Sequence, residues 1–257
     1  MMFELLLLFT AGFFGGVLNS IAGGGSFLTF PALLFAGVPP VSANATNTFS
    51  SCAGYLSGAY AFKDDLKKQS EKVPKLIIVS LTGGVLGSWL LLQTPEELFR
   101  ESIPWLLLFA TFFFTFGGYI NQTIRRLTSN HQHASSIGSY LLLLLLFGVC
   151  TYGGFFNAGL GIIILSYLAL AGFTDINTMN GIKLLVSSVV SIIATTVFIY
   201  NGAIAWYEGI IVLIGTLFGG FVAAHASRKI SQHYVRVFVI LASIAITVYF
   251  FIDTYAS

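Results

Sequence analysis

The sequence predicts an all-α integral membrane protein, a polytopic helical bundle of about eight to ten hydrophobic segments forming two inverted repeats with interrupted or re-entrant first helices. Three observations carry this. The 257-residue chain is 56% hydrophobic and 9% charged, with a mean hydropathy of +0.87, whereas soluble domains carry roughly 25% charged residues. No Asp, Glu, Lys or Arg occurs between Glu4 and Lys63, nor between Arg126 and Asp175. At ~20 residues per span, each run can hold two or three membrane elements. Finally, the chain aligns with itself, ungapped, at an offset of 136 residues.

The elements follow in order. Residues 3–18 are apolar, then Asn19-Ser20-Ile21-Ala22-Gly23-Gly24-Gly25-Ser26 intervenes, and a second short apolar stretch runs from Phe27 to Ala36. Each glycine costs a helix ~1 kcal/mol relative to alanine, so two short helices meeting within the membrane are expected. A signal peptide is the other reading of this segment, but it lacks a basic leader and its pattern returns in mid-chain. A helix over about 42–62 comes next, then apolar segments at about 76–94 and 103–121. These complete a first repeat, 1–121. Residues 122–136 form a charged linker, and the second repeat, 137–257, belongs to the same membrane domain. Its own break, Asn157-Ala158-Gly159-Leu160-Gly161, precedes a short stretch to Ala171, a helix over about 178–200, and apolar segments at about 203–224 and 234–252.

The repeat rests on register. Leu5 to Leu8 fall on Leu141 to Leu144, and Ala22, Gly23 and Gly25 on Ala158, Gly159 and Gly161. Asn44 falls on Asn180, Ser51 on Ser187, and Arg100 on Arg236. The 121 aligned pairs hold 20 identities, about twice the chance level for this composition. Lys and Arg in short loops favour the cytoplasmic side. The loop Lys63–Lys75, the linker with Arg125 and Arg126, and the loop with Arg228 and Lys229 are therefore expected inside, and both termini outside. Each half then crosses an odd number of times, and the copies are inverted.

Broken backbone at membrane depth is tolerated only inside protein or beside a wet cavity. Helices restarting near Gly25-Ser26 and Gly161 would aim amide N–H groups and positive dipole ends into such a cavity, which suits an anion. The plainer alternative is that these glycines only let helices approach closely. Asn44, Asn47 and Ser51 share one helical face, and Asn180, Lys183 and Ser187 repeat that spacing. Lys183 is the only Lys or Arg between Arg126 and Arg228. A membrane-embedded cation costs at least ~2.5–3.5 kcal/mol and points to function. Snorkelling of Lys183 to the headgroups, and interhelical bonding by the two asparagines, are the competing structural readings.

The stretch Ala22-Gly-Gly-Gly25, Pro31, Ala36-Gly37-Val38-Pro39, Ala43 and Thr46-Asn47 resembles the glycine-rich first half of the TauE/SafE sulfite exporter family, the TSUP membrane transporters. Ala171-Gly172-Phe173, Asn177 and Lys183 are similar to its second half, although Asn180-Gly181-Ile182-Lys183 lacks the Thr that often precedes the Lys. The resemblance implies a carrier in the plasma membrane, the bacterial inner membrane, for a small sulfur oxyanion or organosulfonate such as sulfite, thiosulfate, taurine or sulfoacetate. The expected substrate-binding set is Gly23, Gly24, Gly25, Ser26, Asn44, Thr46, Asn47, Ser51, Asn157, Gly159, Gly161, Asn180, Lys183 and Ser187. The residues alone reach "small anion", transported by alternating access between the repeats.

Other classes fit less well. Cys52 and Cys150 lie in apolar segments without metal-ligand spacing, and His131, His133, His225 and His233 fall in loops. No catalytic grouping, metal or cofactor is expected, so an enzyme is not. No basic stripe suggests nucleic acid. The partners are the lipid bilayer and the anion, with a homo-oligomer left open. An anion channel and a membrane scaffold or assembly factor are the rival functions.

Overall fold

A computed structural model describes residues 2–21, 24–128, 136–226 and 232–256. Its helices, in chain order, are α1 (Met2–Ile21), α2 (Ser26–Phe35), α3 (Pro40–Ala61), α4 (Lys63–Lys67), α5 (Val73–Gln93), α6 (Glu96–Thr128), α7 (Ser136–Phe155), α8 (Leu160–Leu170), α9 (Ile176–Tyr200), α10 (Trp206–Ala226) and α11 (Gln232–Tyr255). Apart from the five-residue α4 in the charged loop, that is five helices on each side of the linker among the described residues. The protein is all-α and polytopic. Among the described residues, six helices, α1, α5, α6, α9, α10 and α11, are long and apolar enough to cross a bilayer.

Both breaks fall where the glycines place them, with one difference. α1 continues past the apolar run to Ile21 and, at 1.5 Å per residue, reaches ~30 Å, a full hydrocarbon thickness. The interruption therefore separates a helix of spanning length from α2, a ten-residue helix of ~15 Å.

The ends of the bundle are fixed by cross-chain bonds. At the first end, Val41 N–H donates to Glu96 Oε2 (3.2 Å), Ala205 N–H to Thr46 Oγ1 (3.0 Å), and Tyr255 O–H to the Glu101 carbonyl (2.9 Å). A cavity of about 360 Å³ opens there between Val38, Pro39, Arg100, Phe250 and Asp253. At the second end, Lys72 Nζ lies 4.6 Å from the Phe173 ring centroid. α3, α5, α6, α9, α10 and α11 run from end to end. α1 and α2 form a hairpin entered from the first end, α7 and α8 a hairpin entered from the second. Each half thus contributes three end-to-end helices and one hairpin.

α3 has the length to cross but not the apolar character, carrying Asn44, Thr46, Asn47, Thr48, Ser50 and Ser51, all buried. Such a helix is stable in a membrane only when wrapped by protein, and α1, α2, α6, α9 and α10 surround it.

The packing crosses between the halves. α1 lies on α10 and its counterpart α7 lies on α5, each along a seam of glycines. A Cβ at Gly12 would sit 2.5 Å from the Val212 carbonyl oxygen, and one at Gly154 2.5 Å from that of Gly84; at Gly16 and Gly219 it would run into the Thr216 and Phe13 carbonyls. Close backbone approach of this kind is how helices associate in lipid. α10 also packs on α3 and α11 on α2, while α5 packs on α9 and α6 on α8. Two packed groups result: α1–α3 with α10 and α11, and α5–α9. They meet along α3 against α9 and along α6 against α11. On the second seam the hydroxyls of Thr111 and Thr247, 136 residues apart, are 3.2 Å from each other.

Candidate anion site between the helix breaks

Gly23 lies outside the described residues, as do His131 and His133. Gly24 has φ +89° and faces Phe114 and Val239, so the chain turns where a side chain would be both strained and crowded. The restart of α2 is more capped than the sequence suggests, because Gly25 N–H donates to Asn19 Oδ1 (2.8 Å). The helical extension of α1 brings Asn19 there. Ser26 is buried at the start of α2.

The second break is built differently. Asn157 is fully buried and has φ +53°, the one non-glycine among the described residues in that region. Its Nδ2 donates to Ser191 Oγ (3.1 Å), and its Oδ1 accepts from the Tyr55 hydroxyl (3.3 Å), which also has the Ser26 side chain beside it. Gly159, at φ +74°, presses on Ala110. The amides of Gly159 and Gly161 have no hydrogen-bond partner among the described residues. A Cβ at Gly161 would lie 3.3 Å from Lys183 Cδ, so the lysine stem runs along the start of α8.

The polar stripes lie on α3 and α9, which pack together with Gly58 against Leu184. Asn44 Nδ2 donates to the Phe155 carbonyl (2.7 Å), and Asn47 Oδ1 accepts from the Thr29 hydroxyl. Lys183 Nζ donates to Asn180 Oδ1 (3.3 Å) and has no carboxylate partner among the described residues. Asn44 Oδ1, Asn47 Nδ2, Ser51 Oγ and Ser187 Oγ are buried without any hydrogen-bond partner; only Thr115 and Thr195 share that condition among the described residues. Buried polar atoms are usually paired, and four of these six exceptions lie on the two stripes, three of them donors and one, Asn44 Oδ1, an acceptor.

Thr46 is not part of this group. Its hydroxyl oxygen accepts from Ala205 N–H and its methyl meets Gly209, which turns it toward α10. Tyr55, Ser191, Asn19 and Thr29 were not expected. Tyr55 and Ser191 each lie four residues beyond a stripe member, so extending both stripes by one turn would have found them.

The arrangement offers one cation, hydroxyls, amide groups and free backbone N–H donors. That set suits an anion with several acceptor oxygens.

Among known proteins, the sulfite exporter TauE/SafE family matches residues 8–250. A probable membrane transporter protein, ORF9, of Sinorhizobium sp is 29% identical over 249 residues, covering 95% of this chain and 91% of its own. A probable membrane transporter protein of Haemophilus influenzae is 27% identical, covering 95% and 92%. The probable membrane transporter protein YfcA of Escherichia coli K12 is 26% identical, covering 92% and 86%. No solved structure matches.

Proposed function

The chain belongs to the sulfite exporter TauE/SafE family, and on that premise we propose that it carries a small sulfur-containing anion across the membrane by alternating access. The cargo class is sulfite, thiosulfate, or an organosulfonate such as taurine or sulfoacetate. The two halves, 1–121 and 137–257, act as inverted repeats around one site. The observation that carries this reading is the set of unpartnered donors Asn47 Nδ2, Ser51 Oγ and Ser187 Oγ on α3 and α9, the latter of which also presents Lys183. A sulfonate or sulfite accepts from hydroxyls, amides and an ammonium at once. Lys183, bonded among the described residues to an amide oxygen alone, supplies the charge that balances it.

Inversion is supported by the hairpins, one entered from each end, and by the matched seams α1 on α10 and α7 on α5. The Lys-rich loop after α3 then puts the second end in the cytoplasm and both termini outside. The setting is the plasma membrane. Lys183, Ser51, Ser187, Asn47, Asn44 and the amides of Gly159 and Gly161 form the binding set.

The test is uptake by reconstituted vesicles. Lys183→Met abolishes anion uptake while the protein stays folded; undiminished uptake by the folded variant would overturn the assignment. Screening sulfite, thiosulfate, taurine and sulfoacetate by thermal shift identifies the cargo, since a ligand at 100 times its Kd stabilises by about 2.7 kcal/mol.

A further inference from the structure

The unpartnered donors that would receive an anion are also enclosed: Asn47, Ser51 and Ser187 are each exposed by 2% or less. An anion reaches them only if the two packed groups part along α3 and α9. Among the described residues, the polar bonds that tie α3 to the second hairpin are few and specific. Tyr55 O–H donates to Asn157 Oδ1 (3.3 Å) and Asn44 Nδ2 to the Phe155 carbonyl (2.7 Å). Both run from the first group to the break of the second hairpin. Inside the second group, Asn157 is anchored to α9 by its bond to Ser191, and Tyr152 O–H donates to the Ala158 carbonyl (2.7 Å). The break is thus rigidly part of its own group and is tied to the other by Tyr55 and Asn44. The Tyr55 hydroxyl has a second neighbour, Ser26, at the break of the first hairpin, so this single group stands between the two interrupted helices.

We propose that Tyr55 is a latch residue: its bond to Asn157 holds the α3–α9 interface closed in the anion-free protein, and it must break before the anion reaches its donors. Tyr55 is a positioning residue and not a ligand of the anion. The inference rests on the carrier reading above and adds the step that limits access to the site.

A protein whose binding-competent state is only fractionally populated binds with an affinity reduced by that fraction. Removing a bond present only in the closed state raises the competent fraction. Tyr55→Phe keeps the ring and deletes the hydroxyl, and one such bond corresponds to a shift of about two- to tenfold.

The experiment compares wild type, Tyr55→Phe and Ser80→Ala in reconstituted vesicles, with radiolabelled sulfite and taurine as probes, and measures KM and the melting temperature without anion. Ser80 accepts from Cys150 within the second group, so its variant reports loss of a buried bond that does not cross the interface. The expected result is a KM about two- to tenfold lower in Tyr55→Phe, with a lower melting temperature. Ser80→Ala shows only the lower melting temperature. A raised KM in Tyr55→Phe makes the hydroxyl an anion ligand and overturns the latch. An unchanged KM makes it ordinary packing and overturns it equally. Wild-type vesicles that take up neither probe, nor thiosulfate or sulfoacetate, defeat the carrier reading and the latch together. Normal wild-type uptake with the wrong KM response defeats the latch alone.

Discussion

Ser51 and Ser187 occupy equivalent positions on α3 and α9, and each buries a hydroxyl that bonds to nothing among the described residues. A buried unsatisfied hydroxyl costs about 1–3 kcal/mol, and replacing it with an apolar group of similar shape is near neutral or stabilising. Retaining two such groups makes sense if a ligand uses them. Ser51→Ala and Ser187→Ala are therefore expected to leave the melting temperature of the anion-free protein unchanged or raised. Each should weaken the anion-induced stabilisation roughly tenfold or more in Kd, the worth of one hydrogen bond to a charged group. Melting curves with and without saturating sulfite or taurine check both; a fall in stability without anion would show that the hydroxyls hold the fold instead. The two polar stripes on α3 and α9 were legible in the sequence because one helical spacing occurs twice. Thr46 has a partner that no helical spacing reveals, since its hydroxyl oxygen accepts from Ala205 N–H in the loop before α10, 159 residues away. Tyr55 was missed because an aromatic residue reads as apolar in a hydropathy pattern, although its hydroxyl carries a specific bond.

Among the elements, the paired helices are held by backbone contact rather than by side-chain volume. At Gly16 and Gly219 a single methyl group would meet the carbonyls of Thr216 and Phe13, so even Ala forces α1 away from α10. Gly16→Leu or Gly219→Leu is expected to destabilise by about 1–3 kcal/mol or to prevent folding. Gly148 in α7 has nothing within 4 Å of an added Cβ, and Gly148→Ala should be neutral or stabilise by up to ~1 kcal/mol. Thermal melting of purified protein separates the two classes; equal effects would mean that helix propensity, not the seam, governs. The breaks were legible because glycines cluster there with a polar residue, Asn19 before Gly23-Gly24-Gly25 and Asn157 before Gly159 and Gly161, whereas the glycine pairs inside α1, α5, α6, α7 and α10 sit in continuous helix. The full length of α1 was not, since Asn19 and Ser20 end the apolar run but not the helix: Asn19 is retained because its side chain caps Gly25.

The connection between halves is a property of the whole molecule, and no local pattern contains it. A glycine stripe on α1 is as compatible with a partner in its own half as with α10; only the packed structure shows the crossing. This bears on which bodies move. If each sequence half rocked as a unit, α1 would have to slide on α10 and α7 on α5, breaking seams of glycines that, among the described residues, leave no room for a Cβ against the facing carbonyls. The economical division runs instead along α3–α9 and α6–α11, leaving both glycine seams intact within α1–α3 plus α10–α11 and within α5–α9. Two cross-links distinguish the cases in a background with Cys52 and Cys150 replaced. Phe9 and Phe218, with ring centroids 6.5 Å apart, join α1 to α10; Arg100 and Asp253, whose charged groups lie 3.8 Å apart, join α6 to α11 at the first end. Both pairs link different sequence halves, but only the second links different packed groups. Bridging Phe9→Cys to Phe218→Cys with a short bifunctional maleimide should leave vesicle uptake at its uncross-linked rate. Bridging Arg100→Cys to Asp253→Cys should stop it, with the same two variants uncross-linked retaining uptake. Arrest by the Phe9–Phe218 bridge would mean that the seams open during transport and that the sequence halves are the moving bodies after all.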